Sequence, residues 1–180
     1  MAIIVVGGSG RGVGKTALVC GLIAALSEYR WTAVKITSHA HGHSEAIWEE
    51  GRAGQGSDTA RYLAAGAEGA LLMTARPEEL GQTVRRLLQP RQENKPLPHM
   101  IFESNRILEH LRPDLCLAVE GGPEAEQKPS FSLVKDHADA TVARAGRDGM
   151  AAGERPLFQL AALECISPEM RGWIRGRLSP

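Results

Sequence analysis

Residues 7–16 read Gly7-Gly8-Ser9-Gly10-Arg11-Gly12-Val13-Gly14-Lys15-Thr16. The run leaves the short apolar stretch Ala2–Val6 and enters the helical pattern Lys15–Ser27. Glycines between a buried strand and a helix let backbone N–H groups converge on a phosphate at the positive end of the helix dipole. An ordinary glycine-rich turn has no need of the closing Gly-Lys-Thr. Here Lys15 is expected to neutralise β- and γ-phosphates, and Thr16 to offer its hydroxyl to Mg²⁺. The expected phosphate-binding set is Ser9, Gly10, Arg11, Gly12, Val13, Gly14, Lys15, Thr16 and Ala17, with Lys15 also in a catalytic role. Ser9 stands six residues before the lysine, where the strict pattern has Gly or Ala.

Outward from this loop, short β-branched runs alternate with helical patterns. Strands are predicted at Ala2–Val6, Thr32–Ile36, Ala70–Met73, His99–Phe102, Leu115–Val119, Ala140–Val142 and Pro156–Leu160. Apolar residues at three and four spacings predict helices at Lys15–Ser27, Asp58–Ala65, Pro77–Leu88 and Asn105–Leu111, and Ser-Pro-Glu opens another at Ser167–Leu178. Ser38–Ser57, Gln89–Pro98 and Gly121–Lys128 read as loops. The alternation predicts an α/β fold: a three-layer, doubly wound, mostly parallel sheet of the P-loop NTPase type, with right-handed crossovers.

Length and composition bound the answer. The 180 residues, 43% hydrophobic, suffice for one core but are short for two, so a single domain over 1–180 is expected. With 21 basic residues against 21 acidic ones and only 4% aromatics, there is no overall basic field and few stacking platforms, which argues against nucleic acid as a partner. Cys20, Cys116 and Cys165 sit in apolar runs and read as reduced core thiols of a cytoplasmic protein. No stretch reaches the roughly 20 apolar residues of a membrane span.

Beyond the second strand lie Lys35-Ile36-Thr37-Ser38-His39-Ala40-His41-Gly42-His43 and then Asp58-Thr59-Ala60-Arg61-Tyr62-Leu63-Ala64-Ala65-Gly66-Ala67. This order resembles the MobB family of molybdopterin-guanine dinucleotide biosynthesis adapter proteins. Asp58, Arg61, Ala65, Gly66 and Ala67 match the helix motif of that family, and Ile101-Phe102-Glu103-Ser104-Asn105 resembles the acidic strand end of its relatives. The phosphate loop also looks like that of the wider class that includes MinD and the nitrogenase iron protein. The signature lysine of that class would fall at Gly10, so it is absent, and Arg11 is the candidate substitute.

An acid at the carboxyl end of a strand beside the first one can orient Mg²⁺ or its water. Glu103 is the first candidate, with a catalytic role as well, and Glu120 the second; a solvated or capping carboxylate is the alternative for each. The resemblance implies a switch role for Asp58, although Ser57 and Asp58 also suit a helix start. Lys35, ending an apolar strand, needs solvent or an anion, which a phosphate-bearing ligand would supply. His39, His41 and His43 would project to one side of an extended segment as a metal site; a polar substrate-contacting loop is the alternative.

The resemblance implies Mg²⁺-dependent binding and slow hydrolysis of GTP or ATP by a homodimer that works with molybdopterin or a cofactor-assembly enzyme. GTP rests on the resemblance alone, since the chain has no Asn-Lys-x-Asp base-reading motif after a strand. Three other readings stay open. One is a metal-insertion NTPase chaperone using the three histidines; another is a small-molecule kinase or ATP-dependent ligase of the dethiobiotin-synthetase kind; the third is a catalytically silent binding protein, since Ser9 and Gly10 depart from related patterns.

Overall fold

The computed structural model describes residues 1–37, 46–49, 56–89, 97–122, 127–144, 155–160 and 166–178. Strands are β1 (Ile3–Gly8), β2 (Trp31–Thr37), β3 (Ala46–Glu49), β4 (Gly69–Thr74), β5 (His99–Glu103), β6 (Leu115–Glu120), β7 (Ala140–Arg144) and β8 (Leu157–Leu160). Helices are α1 (Lys15–Ala25), α2 (Asp58–Ala64), α3 (Pro77–Leu87), α4 (Phe131–His137) and α5 (Pro168–Leu178).

The strands form one sheet in the order β3-β4-β2-β5-β1-β6-β7-β8. Every pairing is parallel except β3 with β4. Parallel neighbours need crossovers, and these bury both faces of the central strands, which explains why β1 is apolar throughout. Its alternate residues divide between two cores. Ile4 and Val6 pack with Leu18, Leu22 and Ile23 of α1 and with Met170 and Ile174 of α5. Ile3 and Val5 pack on the other face with Leu80 and Val84 of α3 and with Phe131 and Val134 of α4. The expected mostly parallel α/β sheet is therefore the observed one.

Three local readings change. The expected loop Ser38–Ser57 contains β3, an antiparallel edge strand. In place of a helix over Asn105–Leu111 there is one 3₁₀ turn, Arg106–Glu109, which buries Ile107 and Leu108. Finally, α4 was not expected at all; it is seven residues long and buries only Phe131 and Val134.

The chain crosses from β1 through α1 toward β2, and from β5 through the 3₁₀ turn to β6 on the far side of β1. Connections that diverge to opposite faces open a crevice at the carboxyl ends of the strands, where open α/β sheets bind ligands. Gly7 lets α4 approach β1 closely: a Cβ there would lie 2.5 Å from Cγ2 of Val134.

Candidate nucleotide site

A cleft of about 860 Å³ lies in that crevice. On one side the phosphate loop turns from β1 into α1. Gly12 and Gly14 have φ of 72° and 113°, the left-handed region that favours glycine. No side chain caps α1 and its first turn carries no acid, so its N–H groups and the positive end of its dipole meet no anion from the helix itself.

Arg11, Gly12, Gly14, Lys15, Thr16 and Ala17 line the cleft. Ser9, Gly10 and Val13 do not. The Ser9 hydroxyl accepts the Gly121 N–H at 2.8 Å, its own N–H reaches the Val119 carbonyl at 2.9 Å, and Val13 joins the core. Ser9 therefore ties the loop to the end of β6. The Gly10 carbonyl accepts from the Lys15 ammonium at 2.6 Å.

Glu103 ends β5, the strand between β1 and β2, and is 5% exposed. Its Oε2 accepts from the Thr16 hydroxyl at 2.8 Å and from the Tyr62 hydroxyl, while Oε1 accepts from Lys35 at 3.0 Å. Lys35 also donates to Asp58, so one ammonium bridges two carboxylates. Burial alone would lower the Lys35 pKa, but Glu103 and Asp58 raise it above the usual lysine value. Burial likewise opposes ionisation of Asp58, yet Lys35 and Thr16 hold its pKa below the usual carboxylate range. Both groups are therefore charged at neutral pH.

Helix α2 positions this cluster. Ser57 is its N-cap, accepting the Ala60 N–H at 3.0 Å, which leaves Asp58 free to face Lys35. Tyr62 follows one turn later on the same face. On the other wall, Asn105 clasps the loop: Oδ1 accepts the Gly8 N–H at 2.8 Å and Nδ2 donates to the Gly8 carbonyl at 3.0 Å.

Thus the cleft gathers Lys15, Thr16, Lys35, Asp58 and Glu103. Glu120 ends β6 but is not part of the lining. His39, His41 and His43 lie outside the described residues. Among the described residues no three His, Cys, Asp or Glu side chains converge as a metal site. Glu103 and Asp58 already flank the Lys35 ammonium, and with the Thr16 hydroxyl they supply hard oxygen donors of the kind that suits Mg²⁺. Tyr62, Asn105, Arg106 and Lys128 were missed in the sequence. Tyr62, four residues after Asp58, and Asn105, in the stretch that ends β5, carried a local signal.

Burial lowers the pKa of Lys15, and the nearby Lys128 and Lys35 add to this against the opposing pull of Glu103. Cations crowded in this way favour an anion. Cys20 and Cys116 are buried thiols, and burial pushes Cys116 up to about 12, in keeping with an inert core residue. No helix among the described residues is long and apolar enough to cross a membrane.

A parallel α/β sheet with Gly-Lys-Thr between its central strand and α1 defines the P-loop NTPase fold class. A solved structure similar to this chain is LpxK from Aquifex aeolicus, crystallised in complex with ATP. The two share 18% identity with a TM-score of 0.54, over 88% of this chain and 53% of LpxK. The chain thus spans about half the length of that protein. No protein-family model and no curated protein sequence matches the chain.

Proposed function

We propose that this protein binds a nucleoside triphosphate with Mg²⁺ and hydrolyses it slowly, serving as an adapter in molybdenum-cofactor assembly. The observation that carries the nucleotide reading is the convergence of Lys15, Thr16 and Glu103 at the mouth of an uncapped helix. Lys15 would meet the β- and γ-phosphates, and Thr16 and Glu103 would hold Mg²⁺. When bound, Mg²⁺ would offset charge on the phosphate oxygens. With Glu103 engaged by Thr16, Tyr62 and Lys35, no unencumbered general base faces the cleft among the described residues, which supports slow turnover. The adapter role, a GTP preference and a homodimer rest on the resemblance to MobB, and a cytoplasmic location on the reading of the cysteines as reduced core thiols.

A second reading, the small-molecule kinase or ligase, is favoured by one observation. The cleft continues past the phosphate loop to Ala75, Pro77 and Leu80, leaving room for an acceptor.

Calorimetric titration with GTP and ATP in Mg²⁺, with Lys15→Ala as control, tests the proposal. Selective, Lys15-dependent GTP binding supports the adapter reading. ATP preference moves the conclusion to the kinase or ligase, and no binding of either nucleotide overturns both.

A further inference from the structure

Among the described residues the cleft holds more positive charge than a nucleotide would answer: six basic side chains line it, Arg11, Lys15, Lys35, Arg61, Arg106 and Lys128, against the two acids Asp58 and Glu103. The chain as a whole balances at a formal charge of +0, so the excess is local. A triphosphate brings about four negative charges and Mg²⁺ takes back about two, which would leave roughly two positive charges in a walled cleft without an anion.

Arg106 and Lys128 belong to one wall. Asn105, beside Arg106, donates through Nδ2 to the Ser130 hydroxyl at 3.2 Å, which joins the segment carrying Arg106 to the one carrying Lys128. The Lys128 N–H in turn donates to the Ser9 carbonyl at 2.8 Å, which fixes its backbone against the phosphate loop. Among the described residues Arg106 meets only Glu109, at 3.8 Å within its own turn, and Lys128 makes no ion pair. That turn packs on α3, and just after it the His110 ring lies so close that a Cβ at Gly81 would be 2.9 Å from it. The start of α3 brings Pro77 and Leu80 into the lining, with Ala75 just before it.

We infer that the cleft binds, beside the nucleotide, a second small ligand: an organic anion whose phosphate or carboxylate is held by Arg106 and Lys128 and whose apolar body lies against Ala75, Pro77 and Leu80. This rests on the nucleotide-binding reading above. A basic pair next to an apolar strip is the usual composition of a site for such a molecule, with few polar anchors fixing a mostly apolar body.

The test uses the full chain saturated with Mg²⁺ and a non-hydrolysable triphosphate analogue, titrated calorimetrically with phenyl phosphate and, separately, with benzoate. One equivalent of at least one probe is expected to bind, the preferred probe identifying the head group. Arg106→Ala is expected to weaken that binding about tenfold or more, and Lys128→Ala to do the same. Uptake of neither probe by the nucleotide-saturated protein, or wild-type probe affinity in either variant, overturns the inference while leaving nucleotide binding intact. Failure of the analogue itself to bind overturns the nucleotide reading, and this inference with it.

Discussion

The Thr16 hydroxyl lies 2.8 Å from Oε2 of Glu103, a residue 87 positions further along the chain. The contact joins the first turn of α1 to the end of β5 and sets the two oxygen donors expected for Mg²⁺ side by side. In Glu103→Gln the amide oxygen can still accept from Thr16 and Tyr62, while the charge and the acceptor for Lys35 are lost. The Mg²⁺ concentration needed for nucleotide binding should then rise about tenfold or more. Titration of nucleotide at a series of Mg²⁺ concentrations checks this; an unchanged Mg²⁺ requirement would remove Glu103 from the metal site.

Lys35 bridges the same acid to Asp58. Its replacement by Met leaves the buried Glu103 without its cation and the partly exposed Asp58 with the more distant Arg61, at 3.5 Å. The metal-free variant should lose about 1–3 kcal/mol of stability, a figure reduced from that of a fully buried pair because solvent reaches Lys35 and Asp58. Added Mg²⁺ should restore more stability to the variant than to the wild type. Urea denaturation of both proteins, with and without Mg²⁺, measures the difference, and equal responses to the metal would mean that it does not settle between these acids.

Much of this arrangement could be read before the fold was known, and the remainder had a definite reason to be hidden. The apolar run into Gly-Lys-Thr fixes β1, the loop and α1 because each local choice agrees with the next. Glu103 was accessible as an acid ending an apolar strand. Lys128 was not, because its place beside the loop depends on a backbone hydrogen bond to Ser9. The apolar spacing of Ile107, Leu108 and Leu111 fits a helix, yet one 3₁₀ turn buries the first two. The short α4 shows too little periodicity to declare itself, and β3 lies within a polar stretch whose pairing is supplied by β4.

Asn105 holds both backbone groups of Gly8 and also reaches Ser130. Asn105→Ala should therefore leave a buried N–H and a buried carbonyl unsatisfied, lowering stability by about 2–4 kcal/mol. Asn105→Asp keeps an acceptor for the Gly8 N–H but loses the donor, so it should recover only part of the loss. Urea unfolding of the three proteins gives the order directly, and an alanine variant as stable as wild type would show that the clasp contributes nothing to holding the loop.

His99 places a pH dependence at the opposite end of the sheet from the cleft. Its Nδ1 accepts the Ala2 N–H at 2.9 Å, which requires that nitrogen to be unprotonated, and burial holds the His99 pKa below its usual value. The unfolded chain therefore binds a proton more readily than the folded one does. The stability from this bond is fully present above the unfolded pKa of about 6.5, and is lost as pH falls below it toward and through the lower folded value. His99→Asn retains an acceptor near the Nδ1 position and cannot titrate. The difference in unfolding free energy between wild type and His99→Asn should shift toward the variant as pH falls from about 7 to 5. Denaturant unfolding across that range measures it, and parallel profiles for the two proteins would mean that His99 accepts its proton equally well in both states.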